Sequence, residues 1–159
     1  MKSYQLHFSQ QLPISLSEAW DFFSSPMNLA QITPDDMAFE ITSAPQLKTM
    51  YPGMIITYKV SPIPGIRFNW MTEITQVVPQ EYFIDEQRFG PYQFWHHQHH
   101  FKAVEAGVEM TDILTYGLPM GIFGRMANAI FVADKIRKIF SYRKEKVNSL
   151  FGIYPSTGT

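Results

Sequence analysis

The sequence predicts an α+β domain in which a curved antiparallel β-sheet of about seven strands wraps around one long C-terminal α-helix. Apolar and polar side chains alternate near the N-terminus, and six further segments in the middle of the chain are rich in aromatic and β-branched residues. Such alternation and composition are typical of strands. After residue 121 the apolar residues recur every three or four positions instead, which is the spacing of one helix face.

The N-terminal elements are a strand and short helices. Residues 4–8 alternate and form the first strand, which Pro13 ends. Ser15 and Glu18 then have the spacing of a capping box, in which each side chain accepts a hydrogen bond from the backbone of the other residue. This motif predicts a short amphipathic helix, and residues 28–32 predict one further helical turn.

Six candidate strands make up the middle of the chain. They cover residues 39–43, 55–61, 68–78, 82–89, 94–104 and 108–118. Short connections that contain proline or glycine separate most of them. Because short connections join antiparallel neighbours, the sequence predicts a meander.

The last third of the chain predicts one long helix over residues 122–151. Its apolar stripe contains Met126, Ile130, Ala133, Ile136, Phe140, Val147 and Leu150. Arg143 fills the one wide gap in this stripe, and lysine and arginine side chains follow the polar face. We interpret these cations as a solvated helix face rather than a site for an anionic partner. Residues 1–152 are expected to form one domain, and residues 153–159 a flexible tail.

The composition excludes several classes of function. The chain of 159 residues has a net charge of -1 and no cysteine, which excludes disulfides, thiolate nucleophiles and cysteine-ligated metals. The balanced charge gives no reason to expect a nucleic-acid partner. We find neither an apolar run that could span a bilayer nor a secretory signal, and we expect a cytoplasmic protein. The 13 Phe, 8 Tyr and 3 Trp exceed the needs of a compact core, which predicts an aromatic-lined cavity.

Residues 89–101 hold four of the five histidines. Because the side chains of a strand alternate between its two faces, Trp95, His97, His99 and Phe101 share one face. Imidazoles flanked by large aromatic residues indicate a polar group inside an apolar pocket.

A hairpin turn at residues 106–107 would set the cross-strand partners of these histidines. In that register His97 faces Tyr116, and Asp112 becomes a diagonal neighbour of His99. A carboxylate beside an imidazole raises the pKa of the imidazole and fixes its tautomer. The sequence therefore predicts a polar cluster on one face of the sheet.

The predicted ligand-binding residues join this cluster to the walls of a cavity. They are Trp70, Asp85, Trp95, His97, His99, Asp112, Tyr116, Met126 and Ile130. Asp85 belongs to the set only if the turn at residues 90–91 keeps it on the same face, because a slip of one residue would reverse its direction.

Three interpretations of the cluster remain open. It is a hydrogen-bond network that braces the sheet, the polar anchor of a ligand cavity, or a catalytic pair in which His97 or His99 acts as general acid or base. Two histidines with Asp112 would also be a known metal-ligand set, but no second carboxylate is obvious from the sequence. We predict neither a metal nor a cofactor.

Short motifs spread over nearly the whole chain match a known family pattern. They are the capped helix at residues 15–20, the segments 51–53, 83–87, 90–92, 111–112, 116–119 and 140–143, and Trp95, His97, His99 and Phe101. On these residues the chain resembles the START-related, birch-pollen-allergen-like ligand-binding superfamily, called SRPBCC. Within it the chain is most similar to a bacterial subgroup of stand-alone domains, some of which carry a cell-division-inhibitor label. The resemblance implies the helix-grip fold and an internal cavity between sheet and helix.

The resemblance says little about chemistry, because this superfamily contains lipid carriers, hormone receptors and cyclases. The leading expectation is binding or transport of a small hydrophobic or amphipathic molecule, without covalent chemistry. One alternative is an enzyme of the cyclase, hydratase or isomerase type that uses His97, His99 and Asp112. Another is a protein-interaction module linked to cell division or stress. The expected partner is a small molecule, and protein partners stay unknown.

Overall fold

All strands of the described part of the chain belong to one antiparallel sheet. The computed structural model describes residues 2–43, 49–63 and 65–155, and within them the sheet has seven strands. The strands are β1 (Ser3–Leu12), β2 (Glu40–Ile41), β3 (Ile55–Ile63), β4 (Ile66–Val78), β5 (Tyr82–Phe89), β6 (Phe94–Val104) and β7 (Gly107–Gly117). Their order in the sheet is β1-β7-β6-β5-β4-β3-β2, so β2 to β7 form a meander and β1 lies beside β7. The predicted α+β architecture is confirmed, although β2 is shorter than the predicted segment at residues 39–43.

Irregular pairing bends the sheet between β4 and β5. The register shifts between Met71 and Thr72, and again between Ile74 and Gln76. Such bulges bend a strand and increase its twist. The bends favour a curved sheet that can hold a helix against one face.

The predicted N-terminal helix begins at its capping box. Helix α1 spans Leu16–Phe23, and two 3₁₀-helical segments follow at Pro26–Ile32 and Asp35–Met37. The backbone N–H of Glu18 donates to Ser15 Oγ at 3.2 Å, and the backbone N–H of Ser15 donates to Glu18 Oε2 at 2.9 Å. These reciprocal bonds satisfy N–H groups that have no partner inside the helix.

The C-terminal helix is interrupted by a π-helical turn. It consists of α2 (Gly121–Ala127), a π-helical turn at Asn128–Val132 and α3 (Ala133–Phe151). Phe140 of α3 stacks on Phe8 of β1 with 3.9 Å between ring centroids, so the helix packs on the sheet. One residue inserted into a helix rotates the residues before it by about 100° relative to the residues after it.

The rotation accounts for the exposure of two residues that the sequence placed in the cavity. Met126 and Ile130 continue the apolar stripe in sequence, but their side chains are 56% and 77% exposed. Ile136, Phe140 and Val147, which come after the π-helical turn, are buried as predicted. A stripe read with a constant helical period cannot reveal such an insertion.

A hydrogen bond holds the beginning of the predicted C-terminal tail against the sheet. The backbone N–H of Ala106, between β6 and β7, donates to the hydroxyl of Tyr154 at 3.2 Å. Residues 156–159 of the predicted tail lie outside the described residues. None of the described helices combines the length and the apolar character needed to cross a membrane.

Candidate ligand-binding site

Four titratable side chains cluster on the helix-facing side of the sheet. β5 contributes Asp85, β6 contributes His97 and His99, and β7 contributes Asp112. Asp85 lies directly opposite His97, and His99 lies directly opposite Asp112. The His97 ring meets the Phe140 ring of α3 almost at a right angle, with 5.5 Å between centroids. The cluster therefore lies under the C-terminal helix.

The register of β6 against β7 differs by two residues from the predicted one. Glu105 and Ala106 form the turn, and Gly107 already pairs with Val104. A Cβ atom at position 107 would overlap the carbonyl oxygen of Leu12. This glycine therefore allows a close backbone approach rather than forming the turn.

The cross-strand partners change accordingly. The predicted pairing of His97 with Tyr116 is wrong, since His97 lies opposite Leu114. Asp112 faces His99 directly instead of lying diagonal to it. Because the difference is two residues, every side chain keeps its face of the sheet, and the predicted grouping survives.

The turn between β5 and β6 decides where Asp85 points. Gln87 Nε2 donates to the carbonyl oxygen of Tyr92 at 2.7 Å, and the backbone N–H of Tyr92 donates to Gln87 Oε1 at 3.2 Å. A side chain at Gly90 would overlap the Gln87 amide. These two bonds fix the register that sets Asp85 opposite His97.

The four side chains form a closed ring of contacts. Hydrogen bonds join His97 Nε2 to Asp112 Oδ1 at 3.0 Å and His99 Nε2 to Asp85 Oδ2 at 2.8 Å. The other ring nitrogens also face carboxylates, with His97 Nδ1 3.4 Å from Asp85 Oδ2 and His99 Nδ1 2.9 Å from Asp112 Oδ1. Each histidine therefore bridges both aspartates.

A neutral imidazole carries one N–H, whereas both nitrogens of an imidazolium donate. Both nitrogens of His97 face a carboxylate, Asp112 on one side and Asp85 on the other, so this geometry favours the charged form of His97.

Burial and pairing act in opposite directions on the pKa values of the cluster. Burial raises the pKa of Asp85 and Asp112, but hydrogen bonds and charges from His97 and His99 outweigh it and hold both carboxyl pKa values well below their usual range. Burial lowers the pKa of His97, but its bonds to Asp112 and Asp85 outweigh that effect and raise the pKa. The ion-paired state is thus the favoured one.

Aromatic rings continue the same face beside the cluster. Trp70 lies at a right angle to Trp95 at 5.2 Å and stacks on Tyr58 at 5.8 Å, and Tyr92 contacts both indoles. Trp70 Nε1 donates to Thr72 Oγ1 at 3.0 Å. Burial raises the pKa of Tyr58 and Tyr92, so both phenols stay neutral. This wall is therefore aromatic and uncharged.

Two adjoining cavities lie on the helix-facing side of the sheet, the larger against the C-terminal helix and the smaller mainly against α1 and the 3₁₀ segment at Pro26–Ile32. The larger has a volume of about 620 Å³, and aromatic and aliphatic side chains form most of its wall. The smaller has a volume of about 120 Å³ and reaches Asp85 and His99. Trp95, His97 and Arg143 belong to both walls.

Arg143 is a charged residue of both walls that the sequence did not assign to the site. Its guanidinium carbon lies 4.9 Å from the centre of the Phe140 ring, and its Nη1 is 4.0 Å from Asp112 Oδ1, too far for a hydrogen bond. Its Nε is buried, and no described residue accepts a hydrogen bond from it. The available signal was that a cation interrupts the apolar stripe of α3.

Five of the nine predicted site residues line the cavities. These are Trp70, Asp85, Trp95, His97 and His99. Asp112 and Tyr116 belong to neither wall, and the Tyr116 side chain is fully buried among core residues. Met126 and Ile130 also lie outside both walls, and their role in ligand binding stays a prediction.

Three members of the cluster have the geometry of a metal site. One ligand atom from each of Asp85, His97 and His99 lies within 4.8 Å of the others. Two imidazoles and a carboxylate suit several divalent metals. A metal ion would have to replace the bonds that these atoms already make to one another and to Asp112.

Known proteins resemble this chain in structure, whereas a search by sequence finds no match. No protein-family model matches the sequence, and no curated protein matches it. The structure is similar to protein CV1439 from Chromobacterium violaceum, with a TM-score of 0.71 at 11% identity over 94% of this chain and 98% of that one. It is also similar to Ara h 8.0201, with a TM-score of 0.58 at 13% identity over 93% and 99%.

A third similar structure belongs to an enzyme. It is a point mutant of norcoclaurine synthase from Thalictrum flavum in complex with a transition-state analogue, with a TM-score of 0.65 at 11% identity over 94% of this chain and 96% of that one. The chain has the helix-grip fold. At these identities the similarity establishes the birch-pollen-allergen-like fold and not an activity.

Proposed function

We propose that this helix-grip domain binds a small, largely apolar molecule in the cavity between the sheet and α3. The cavity of about 620 Å³ carries the proposal. Protein interiors pack closely and contain few voids larger than a water molecule. A cavity of this size lies within the range of about 300–1,000 Å³ that is usual for ligand sites.

The chemistry of the wall supports an apolar ligand body. Trp70 and Trp95 line the cavity, and the indole N–H of Trp70 is already bonded to Thr72. Tyr58 and Tyr92 stay neutral because burial raises the pKa of each. Such a wall gains free energy mainly by removing apolar surface from water.

The histidine cluster supports binding over catalysis. A general base needs a ring nitrogen that can reach the substrate. Here both nitrogens of His97 and His99 face Asp85 or Asp112, so the rings are occupied by their structural partners. The cluster acts as a brace across β5, β6 and β7 and forms part of the floor of the site. The expectation from the sequence, binding or transport of a small molecule by a cytoplasmic domain of the bacterial stand-alone type, stays part of this proposal.

A cavity-filling variant tests the proposal. Nile red, a neutral dye that fluoresces in apolar sites, is titrated into the wild-type protein and into Ile139→Trp, which places an indole in the cavity wall of α3. Leu150→Trp adds the same group to an exposed position on that helix and serves as the matched control. We expect the first variant to weaken dye binding about tenfold or more and the control to leave it unchanged.

Native mass spectrometry of the purified wild-type protein adds a second readout, since a co-purified small molecule would identify the ligand class. The proposal is wrong if Nile red does not bind, or if Ile139→Trp binds it as the wild type does while circular dichroism shows both to be folded.

A further inference from the structure

We propose that the ligand carries an acidic head group, a carboxylate or a phosphate ester, and that Arg143 binds it. This inference rests on the proposed function and adds the chemical class of the ligand. It starts from the charges that line the larger cavity and from the hydrogen-bonding state of each.

The wall of the larger cavity has cations and no carboxylates among the described residues. Its charged members are Lys135 and Arg143, both on α3, together with the titratable His97. Asp85 belongs only to the wall of the smaller cavity, and Asp112 to neither. A neutral apolar ligand would offer no counterion to the cations of this wall, which matters only for those that have no close carboxylate of their own.

Lys135 already has a counterion. Its Nζ lies 2.8 Å from Asp36 Oδ2, and that aspartate is exposed. The pair is satisfied at the rim, so Lys135 needs nothing from the cavity.

Arg143 has a more distant counterion than Lys135 has. The nearest carboxylate oxygen, Asp112 Oδ1, is 4.0 Å away and already accepts from His97 and faces His99 Nδ1. The closer contacts of Asp112 with both histidines leave Arg143 with no carboxylate at hydrogen-bond distance among the described residues. Its side chain is 15% exposed, and burying a cation whose counterion is so distant is costly.

An acidic head group is the chemistry that removes this cost. A guanidinium presents parallel N–H groups that match the two oxygens of a carboxylate or of a phosphate. Arg143 stands where α3 passes over His97, and the aromatic wall of Trp70 and Trp95 extends away from it. The ligand is therefore amphipathic, with its head at Arg143 and its apolar body along the two indoles.

Competition with bound Nile red tests this assignment. The competitors are decanoate, decyl phosphate and decanol, which share one alkyl chain and differ in the head. The wild type should bind at least one of the two acids about tenfold or more tightly than the alcohol, as expected for a charge-assisted bond in a buried site. The tighter acid tells a carboxylate site from a phosphate site.

Charge variants connect the preference to one residue. Arg143→Gln should abolish the preference for acids and leave decanol affinity within about twofold, whereas Arg143→Lys should retain part of it because the charge remains. Arg137→Gln removes the same charge from the exposed face of α3 and should keep the wild-type ratio. Circular dichroism establishes that each variant is folded.

The outcomes separate this inference from the proposed function. If Nile red binds and decanol competes as well as both acids, the cavity binds ligands but the acidic head group is refuted. A folded Arg143→Gln that keeps the wild-type preference refutes the assignment to Arg143. If Nile red itself does not bind, the proposed function fails, and this inference fails with it.

Discussion

His99 lies directly opposite Asp112 on the neighbouring strand, and its Nδ1 is 2.9 Å from Asp112 Oδ1. The same carboxylate oxygen is bonded to His97 Nε2 at 3.0 Å. One aspartate thus holds two rings whose centroids are only 3.8 Å apart. The buried imidazolium of His97 needs carboxylates beside it, so the stability of the pair depends on Asp85 and Asp112.

Asp112→Asn should therefore destabilise the fold. The substitution keeps the shape but removes the charge that compensates the histidines, and breaking a buried ion pair on one side costs on the order of 3 kcal/mol in the free energy of unfolding. We also expect a lower pKa of His97, because its bond to Asp112 is the main cause that raises it. Urea denaturation measures the first effect, and NMR titration of the ring protons measures the second.

The outer face of β6 offers a matched control. His96 Nδ1 is 2.7 Å from Glu86 Oε1, and both side chains are about one quarter exposed, at 24% and 25%. Glu86→Gln should cost less than about 1 kcal/mol, since partly solvated ion pairs contribute little. Equal losses in Asp112→Asn and Glu86→Gln would contradict the buried-network interpretation.

The free energy of unfolding should decrease both at low pH, on an acid limb, and at high pH, on an alkaline limb. The lowered pKa values of Asp85 and Asp112 contribute stability that is present above about pH 3.9 and is lost as the pH falls through the folded values. The raised pKa of His97 contributes stability that is present below about pH 6.5 and is lost as the pH rises through its folded value. These groups therefore give their largest joint stabilisation between about pH 4 and 6.5.

Two histidine variants assign the alkaline limb. His97→Gln should flatten it. His100→Gln should leave it unchanged and serves as the control, because burial and the charge of His99 lower the pKa of His100, so its effect on stability falls below about pH 6.5. Urea denaturation from pH 4 to 9 measures both slopes. An alkaline limb that is unchanged in His97→Gln would show that another group produces it.

The sequence predicted the sheet well because each strand has its own local signal. The capping box at Ser15 and Glu18 and the strand at residues 82–89 appear where the patterns place them. The site face was also predictable, since alternation fixes which side chains share a face whatever the turn. The position of the turn between β6 and β7 was not predictable, because Gly107 resembles a hairpin glycine. The strand that requires a glycine there, through its contact at Leu12, is distant in sequence.

Two features of the site depend on tertiary structure in the same way. Asp85 joins the cluster through the bonds of Gln87 to Tyr92, which no local pattern announces. Arg143 looked like one more member of a basic helix face, although it stands in the apolar stripe and its Nε is buried. A cation at a stripe position differs physically from its solvated neighbours, because the packing of the helix carries it towards the sheet.

The rotation of the C-terminal helix before α3 leads to a last prediction. Ile130 is 77% exposed, whereas Ile136 is 2% exposed and packs against Leu114 and Tyr116. Ile130→Lys should change the free energy of unfolding by less than about 0.5 kcal/mol, as surface substitutions usually do. Ile136→Lys places a charge in the core and should unfold the domain or cost more than about 4 kcal/mol. Thermal denaturation followed by circular dichroism compares the two. If Ile130→Lys proves as damaging as Ile136→Lys, the apolar stripe runs without interruption into the core, and the π-helical turn at Asn128–Val132 does not rotate Ile130 towards solvent.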